Sequence, residues 1–239
     1  MKRLFDKFRR TKHAPHFVRD YGRLVDRLVA SKPLDQAMSD AVGGNYVAMG
    51  LTEAAIMRWA GLKDGDSILD FGCGSGRLAH ALGQSFKSLD YVGIDIMKPL
   101  LDYARTKSPS NYRFLSNQSL SIPLESESVD FIACFSVFTH LHQAETYIYL
   151  KDMRRILKPN GKILMSFLEA GDPLHWGVFD HYAKALQAGG HDHLNVMLER
   201  PTIDVFCSKL GLTREAFVGG SDEPWEGGAL GQSLAVISR

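Results

Sequence analysis

The chain has 239 residues, 45% of them hydrophobic and 23% charged, which suits one α/β domain with additions or at most two small domains. Its net charge of +1 excludes an overall electrostatic pull toward nucleic acid or membrane. No run of about twenty apolar residues is present to span a bilayer, and Lys2-Arg3 is not followed by the apolar core of a signal peptide. The charge is unevenly placed. Met1–Arg27 holds nine Lys and Arg against Asp6, Asp20 and Asp26, so this arm carries +6 and the remainder −5. Such an arm offers either weak contact with an anionic surface or simply a solvated helix face. The three cysteines, Cys73, Cys134 and Cys207, are widely spaced and form no CxxC, which fits a reducing cytoplasm better than a disulfide or zinc framework.

Phe17, Tyr21, Leu24, Val25, Leu28 and Val29 recur at helical spacing, so Phe17–Ala30 is predicted to be an amphipathic helix. Leu34–Val42 follows as a second short helix and Leu51–Ala60 as a third, separated by Gly43-Gly44-Asn45. Together they give an N-terminal helical arm and lid over residues 1–62, ahead of a nucleotide-binding-like domain over 63–239.

The domain opens on Ile68, Leu69 and Phe71, a short apolar run expected of a strand buried on both faces. Gly72, Gly74 and Gly76 come next, then a helix-compatible run from Arg77. Strand, glycine turn, helix is how a doubly wound fold brings backbone close to a nucleotide-like ligand. Ser88–Ile94 is a second buried strand ending at Asp95, nineteen residues beyond Gly76 and close to the spacing of a ribose-reading carboxylate.

Met97–Lys107 is predicted helical, Tyr112–Leu115 a third strand and Glu127–Cys134 a fourth. Glu145–Leu157 is a helix closed by the turn Lys158–Gly161, and Lys162–Phe167 is a fifth strand. Gly171–Arg200, rich in Gly and His, shows only a weak periodic patch near Val178–Leu186 and reads as an insertion. Thr202–Leu210 returns to helix. Leu212–Val218 and Ser233–Ser238 are two last strands joined without a helix, hence antiparallel to each other. The expected fold is α/β: a doubly wound, mainly parallel seven-stranded sheet with an antiparallel last strand, a helical N-terminal lid and a small insertion after strand 5.

Four stretches carry a resemblance to the class I S-adenosylmethionine-dependent methyltransferases, in the small-molecule branch that includes ubiquinone-biosynthesis-type enzymes: Ile68–Ala79 (ILDFGCGSGRLA), Tyr91–Asp95 (YVGID), Val129–Leu141 (VDFIACFSVFTHL) and Met153–Phe167 (MRRILKPNGKILMSF). The resemblance implies S-adenosylmethionine as cofactor, S-adenosylhomocysteine as product and a small-molecule acceptor methylated on an oxygen nucleophile. It implies that Asp70, Gly72, Cys73, Gly74, Ser75 and Gly76 hold the methionine part and that Asp95 takes the two ribose hydroxyls. Ile96 and Met97 would pack on adenine, Asn117 and Gln118 would reach its amino group, and Phe135 and Ser136 would line the floor. Where this family usually has an acid near positions 117–118, this chain has amides, which still offer an acceptor oxygen.

A nicotinamide or flavin site would show GxGxxG, and position 77 is Arg. Nucleic-acid partners are disfavoured, because Cys134-Phe135-Ser136-Val137 stands where many base-amine methylases carry Asn/Asp-Pro-Pro-aromatic. RNA or protein methylation through the basic arm, and a non-catalytic cofactor-binding module, stay open as alternatives. His140 and His142 follow the fourth strand on the ligand side of the sheet and are the candidate general bases. His175, His181, His191 and His193 lie in the insertion, but no stretch there has convincing metal-ligand spacing, and no metal is expected. The acceptor pocket is predicted between Tyr46–Leu51, Ser136–His142 and Gly171–Leu198, with the insertion over 171–200 as its cap. Trp176 and Phe179 are offered either as its wall or as core.

Overall fold

A computed structural model describes residues 16–189 and 194–239. The first fifteen residues, and His191 and His193 of the insertion, lie outside the described residues. Three helices lead: α1 (His16–Ser31), α2 (Leu34–Asp40) and α3 (Tyr46–Trp59). The domain then alternates β1 (Ser67–Phe71), α4 (Arg77–Ser85), β2 (Asp90–Asp95), α5 (Lys98–Lys107) and β3 (Arg113–Ser116). It continues through β4 (Val129–Cys134), a 3-10 turn at Phe138–His140, α6 (Gln143–Ile156), β5 (Leu157–Phe167), α7 (Pro173–Gln187), α8 (Arg200–Leu210), β6 (Thr213–Val218) and β7 (Ser233–Ser238).

The seven strands form one sheet in the order β3-β2-β1-β4-β5-β7-β6. The pairs from β3 to β5 are parallel, whereas β7 runs antiparallel to both β5 and β6. The expected single reversed strand is therefore β7, inserted between its neighbours. Strand order reverses between β1 and β4, which opens a crevice beyond their carboxyl ends.

Successive side chains of each strand point to opposite faces, so the sheet is buried twice. Leu69, Phe71, Val92 and Ile94 pack with α6 and α8 residues such as Leu150, Met153 and Ile203. Ile68 and Tyr91 pack on the other face with α3 and α4, through Ile56, Met57, Leu78 and Leu82. A small third cluster, Val25, Ala37, Met38, Ala41 and Leu100, ties α1 and α2 to α5.

Three sequence expectations are corrected. Helix α3 starts at Tyr46 rather than Leu51, directly after Asn45 turns the chain with φ 48°. The Lys158–Gly161 turn is a bulge carried on strand β5: Val129 pairs with Leu157 and Phe131 with Lys162, and the extra residues loop out between them. Lys158 points back from the bulge to Asp130 at 2.8 Å and to Ser67 Oγ at 2.9 Å, pinning three strands at their amino ends. The insertion contains a fifteen-residue helix, α7, capped by Asp172, whose carboxylate accepts from the Leu174 amide at 2.9 Å. Only His175 of α7 is buried, while Leu174, Trp176, Val178, Phe179 and Leu186 all reach solvent. Trp176 and Phe179 stack on each other, 5.0 Å between ring centres, rather than entering the core. Among the described residues, no helix is long and apolar enough to cross a membrane.

Candidate active site

A cavity of about 410 Å³ lies at the carboxyl ends of β1, β2, β4 and β5. Its floor is the glycine turn. Gly72, Gly74 and Gly76 have φ of 76°, 54° and 84°, a region costly for residues with a Cβ. The turn is anchored by its own amides: those of Gly72 and Cys73 donate to the Ile94 carbonyl at 2.8 and 3.0 Å. Cys73 sends its thiol into the protein. A Cβ on Gly93 would sit 2.8 Å from that sulfur, so the glycine of YVGID is the notch that receives it. Burial pushes the Cys73 thiol well above its ordinary range, so it is an inert packing group.

Two buried carboxylates face the cavity. Asp95 ends β2, and its Oδ1 accepts from the Met97 amide at 2.8 Å and its Oδ2 from the Gly74 amide at 2.9 Å. Each oxygen retains a second lone pair for a ligand hydroxyl. Burial lifts its pKa to about 6, against the pull of those amides. Asp70 ends the buried core of β1 and accepts from the Tyr91 hydroxyl at 2.6 Å. Burial lifts it to about 7, with the Tyr91 hydrogen bond opposing. A carboxyl held near neutrality by lack of solvent is poised for a cation that would ionise it fully.

Of the residues singled out in the sequence, Asp70, Gly72, Cys73, Gly74, Asp95, Ile96, Asn117, Phe135, Ser136 and His140 border the cavity. Ser75, Gly76, Met97, Gln118 and His142 do not. The Ser75 hydroxyl donates instead to the Met38 carbonyl at 2.9 Å, tying the turn to α2. Gln118 donates to the Ile96 carbonyl at 3.1 Å, and Asn117 donates to Ser121 and accepts from Ser119, so both amides are engaged locally. His140 donates from Nδ1 to the Leu194 carbonyl at 2.7 Å, which fixes the ring at the cavity wall. His142 caps α6 outside the cavity.

The roof also differs from expectation. It is made by α1 and by the α2–α3 connection, through Phe17, Tyr21, Leu24 and Asp40–Gly43, and not by Tyr46–Leu51. Val178, Leu194 and Asn195 of the insertion close one side. Tyr21 spans the roof, its hydroxyl donating to the Ala41 carbonyl, and burial beside Asp95 raises its pKa far above the ordinary range. Its place at helical spacing among apolar residues marked it only as core; a phenol in such a stripe is the one signal that pointed inward. Gln232 had no signal at all. It reaches the cavity from the loop before β7 and accepts from Ser166 at 2.7 Å, while Ser166 accepts from the Ser136 amide at 2.7 Å.

Roof and floor are locked by a buried ion pair. Arg77, first in α4, donates from Nε to Glu53 of α3 at 2.8 Å, and its Nη1 donates to the Val42 carbonyl. Arg77, which separates the turn from GxGxxG, is thus the bolt of the lid.

Residues 68–161 match the family described as a methyltransferase domain. An uncharacterised methyltransferase of Schizosaccharomyces pombe is 31% identical over 115 residues, covering 48% of this chain and 44% of that protein. A demethylmenaquinone methyltransferase of Staphylococcus aureus is 30% identical over 122 residues, covering 49% and 48%. The chain thus spans less than half the length of these curated relatives. Among solved structures, magnesium protoporphyrin IX methyltransferase from Synechocystis PCC 6803, with bound S-adenosylhomocysteine, superposes with a TM-score of 0.59 at 17% identity, covering 81% of this chain and 84% of that one. Sheet order and glycine turn define the class I S-adenosylmethionine-dependent methyltransferase fold. Residues 68–161, which carry the glycine turn and Asp95, are the part of the chain that matches the methyltransferase-domain family.

Proposed function

We propose that the protein binds S-adenosylmethionine in this cavity and methylates a small-molecule acceptor, on an oxygen nucleophile. The observation that carries the proposal is the pair of buried carboxylates, Asp70 and Asp95, on either side of a glycine turn. The donor set fits the cofactor: Asp95 has lone pairs left for two ribose hydroxyls, Asp70 offers charge to a cation, and Ile96 and Phe135 offer apolar surface to a purine. When bound, the cofactor supplies an electrophilic methyl group on a sulfonium that leaves with the carbon–sulfur bonding pair.

The chain's own residues align, enclose and deprotonate. Asp70 and the backbone of Gly72 and Gly74 hold the methionine end, and the Phe135–Ser136 floor sets the line of attack. Phe17, Tyr21 and Leu24 keep water out from above, so the leading helices act as the lid and α7 with Leu194 and Asn195 as the acceptor cap of the sheet domain. His140, which borders the cavity, takes the acceptor proton when the acceptor starts protonated. A cavity roofed by two helices suits a small molecule better than a nucleic-acid strand, and the demethylmenaquinone methyltransferase similarity points the same way. Three buried, unpaired cysteines suit a reducing cytoplasm.

Calorimetry with S-adenosylhomocysteine and with NADH tests the cofactor; binding of NADH alone would overturn the proposal. Turnover with a labelled methyl donor across phenols, quinols, amines and carbon acids tests the acceptor. Transfer confined to nitrogen or carbon acceptors would overturn the oxygen assignment.

A further inference from the structure

We propose that His16, His142 and Glu145 form a binding site for one divalent transition ion of the zinc class, outside the cavity and bridging the lid to the sheet domain. His16 opens α1. His142 and Glu145 are the N-cap and third residue of α6. His16 Nε2 stands 2.9 Å from Glu145 Oε2, the two imidazole ring centres are 4.4 Å apart, and one ligand atom from each of the three residues lies within 4.8 Å of the others. Metal bonds of roughly 2.0–2.1 Å at tetrahedral angles place donors about 3.3 Å apart. The observed spread of at most 4.8 Å is close to that spacing.

The chemistry of the set selects the ion. Two neutral imidazoles and one carboxylate suit zinc, cobalt, nickel or copper, whereas calcium and magnesium want an oxygen shell. The carboxylate is already held: Glu145 Oε2 accepts from the His142 amide at 2.8 Å. His142 and Glu145 together form the capping box that opens α6, so the two ligands on that helix end lie side by side before any ion arrives. Entry is open, because His142 is exposed while the His16 and Glu145 side chains retain 21% and 16% of their surface. A fourth position is left for water. The sequence carried no trace of the site, since His16 and Glu145 lie 129 positions apart.

The consequence is mechanical. Phe17 and Tyr21 of α1 and Leu141, just before α6, line the cavity, so a shared ion would staple two of its walls together at the rim. The site rests on its own geometry and stands whether or not the cavity takes S-adenosylmethionine.

The test uses the full chain, stripped with chelator, dialysed and titrated with Co²⁺ by absorption and with Zn²⁺ by calorimetry. One equivalent should bind, with the intense visible bands of low-coordinate cobalt, and Zn²⁺ should raise the melting temperature. His16→Gln and His142→Asn should each lower the affinity on the order of 100-fold or more, given that even an outer partner of a metal ligand contributes 10–100-fold. Asn is a preferred N-cap, so His142→Asn keeps α6 capped, and the metal-free melting temperature checks this. Absence of binding to the wild type would overturn the proposal. So would undiminished binding in folded His16→Gln or His142→Asn, which would place the ion on other histidines. Should one variant fail to fold, the other decides.

Discussion

Asp70 is a charge that folding works against, and replacing it by Asn should show this as a change of stability with pH. Its carboxyl titrates near 3.8 when solvated and near 7 in the folded chain, because burial disfavours the anion. A group whose folded pKa is raised binds a proton more tightly in the native state. Its contribution to stability is therefore fully present below pH 3.8 and is lost as pH rises through 7. About three pK units at roughly 1.4 kcal/mol each give about 4 kcal/mol, lost between about pH 4 and pH 8. Asn cannot ionise, yet its oxygen still accepts the Tyr91 hydroxyl, now 2.6 Å from Asp70. The stability of Asp70→Asn minus that of the wild type should thus rise by about 4 kcal/mol across this interval; any fixed cost of the new amide cancels in the difference. Urea denaturation of both ligand-free proteins at several pH values measures it. Binding should move the opposite way at pH 8, since losing a carboxylate beside a bound cation costs roughly 2–4 kcal/mol at an effective dielectric constant of about 20. A stability difference flat with pH would refute the reasoning, because it would mean that Asp70 is as well solvated as in the unfolded chain.

Asp95→Ala should lower S-adenosylhomocysteine affinity on the order of 30- to 1000-fold by calorimetry, leaving adenine binding unchanged; it should also cost about 2–4 kcal/mol of stability, because the Gly74 and Met97 amides lose a charged acceptor. Unchanged affinity in the folded variant would make Asp95 a structural residue. Arg77→Met should destabilise by about 3–5 kcal/mol by stranding buried Glu53, and adding Glu53→Gln should recover part of that loss in a denaturation curve. A double variant no better than the single would show that the charge on Glu53 is not what makes the loss.

The sheet was legible because its strands are short apolar runs punctuated by glycine, and their face-to-face burial leaves few other patterns open. Asp95 was legible for the same reason: the end of a strand fixes where a side chain emerges. Helix α7 was not, because periodicity reports burial, and a helix that buries only His175 has no apolar stripe to detect. The KPNG bulge was misread as a turn between elements, since a turn signature states the local bend and not which ladder continues around it. The roof was hidden differently. Phe17, Tyr21 and Leu24 have the spacing of core residues, and a cavity wall uses the same chemistry as a core until something occupies the space between. Arg77–Glu53 and Gln232–Ser166 are contacts between distant segments, on which composition and spacing are silent.

The close approach of α3 to α4 divides the three leading helices into a frame and a door. A Cβ on Gly50 would lie 2.6 Å from the Arg77 carbonyl, so the two helix backbones touch, and the Glu53–Arg77 pair bolts them within one turn of that point. Helix α3 cannot swing without tearing that seam. By contrast, α1 and α2 are held by a cluster of five buried residues, by Phe17 in the larger core, and by scattered polar contacts: Ser75 to Met38, Arg77 to the Val42 carbonyl, Tyr103 to Asp35 and His16 to Glu145. If the cavity opens by a helix moving, the α1–α2 side is therefore the one that yields with the smaller loss of buried contact. Ala37 and Ala41 are the small residues at that seam, so a larger side chain at either would press α1 and α2 away from α5 while leaving the α3–α4 seam untouched.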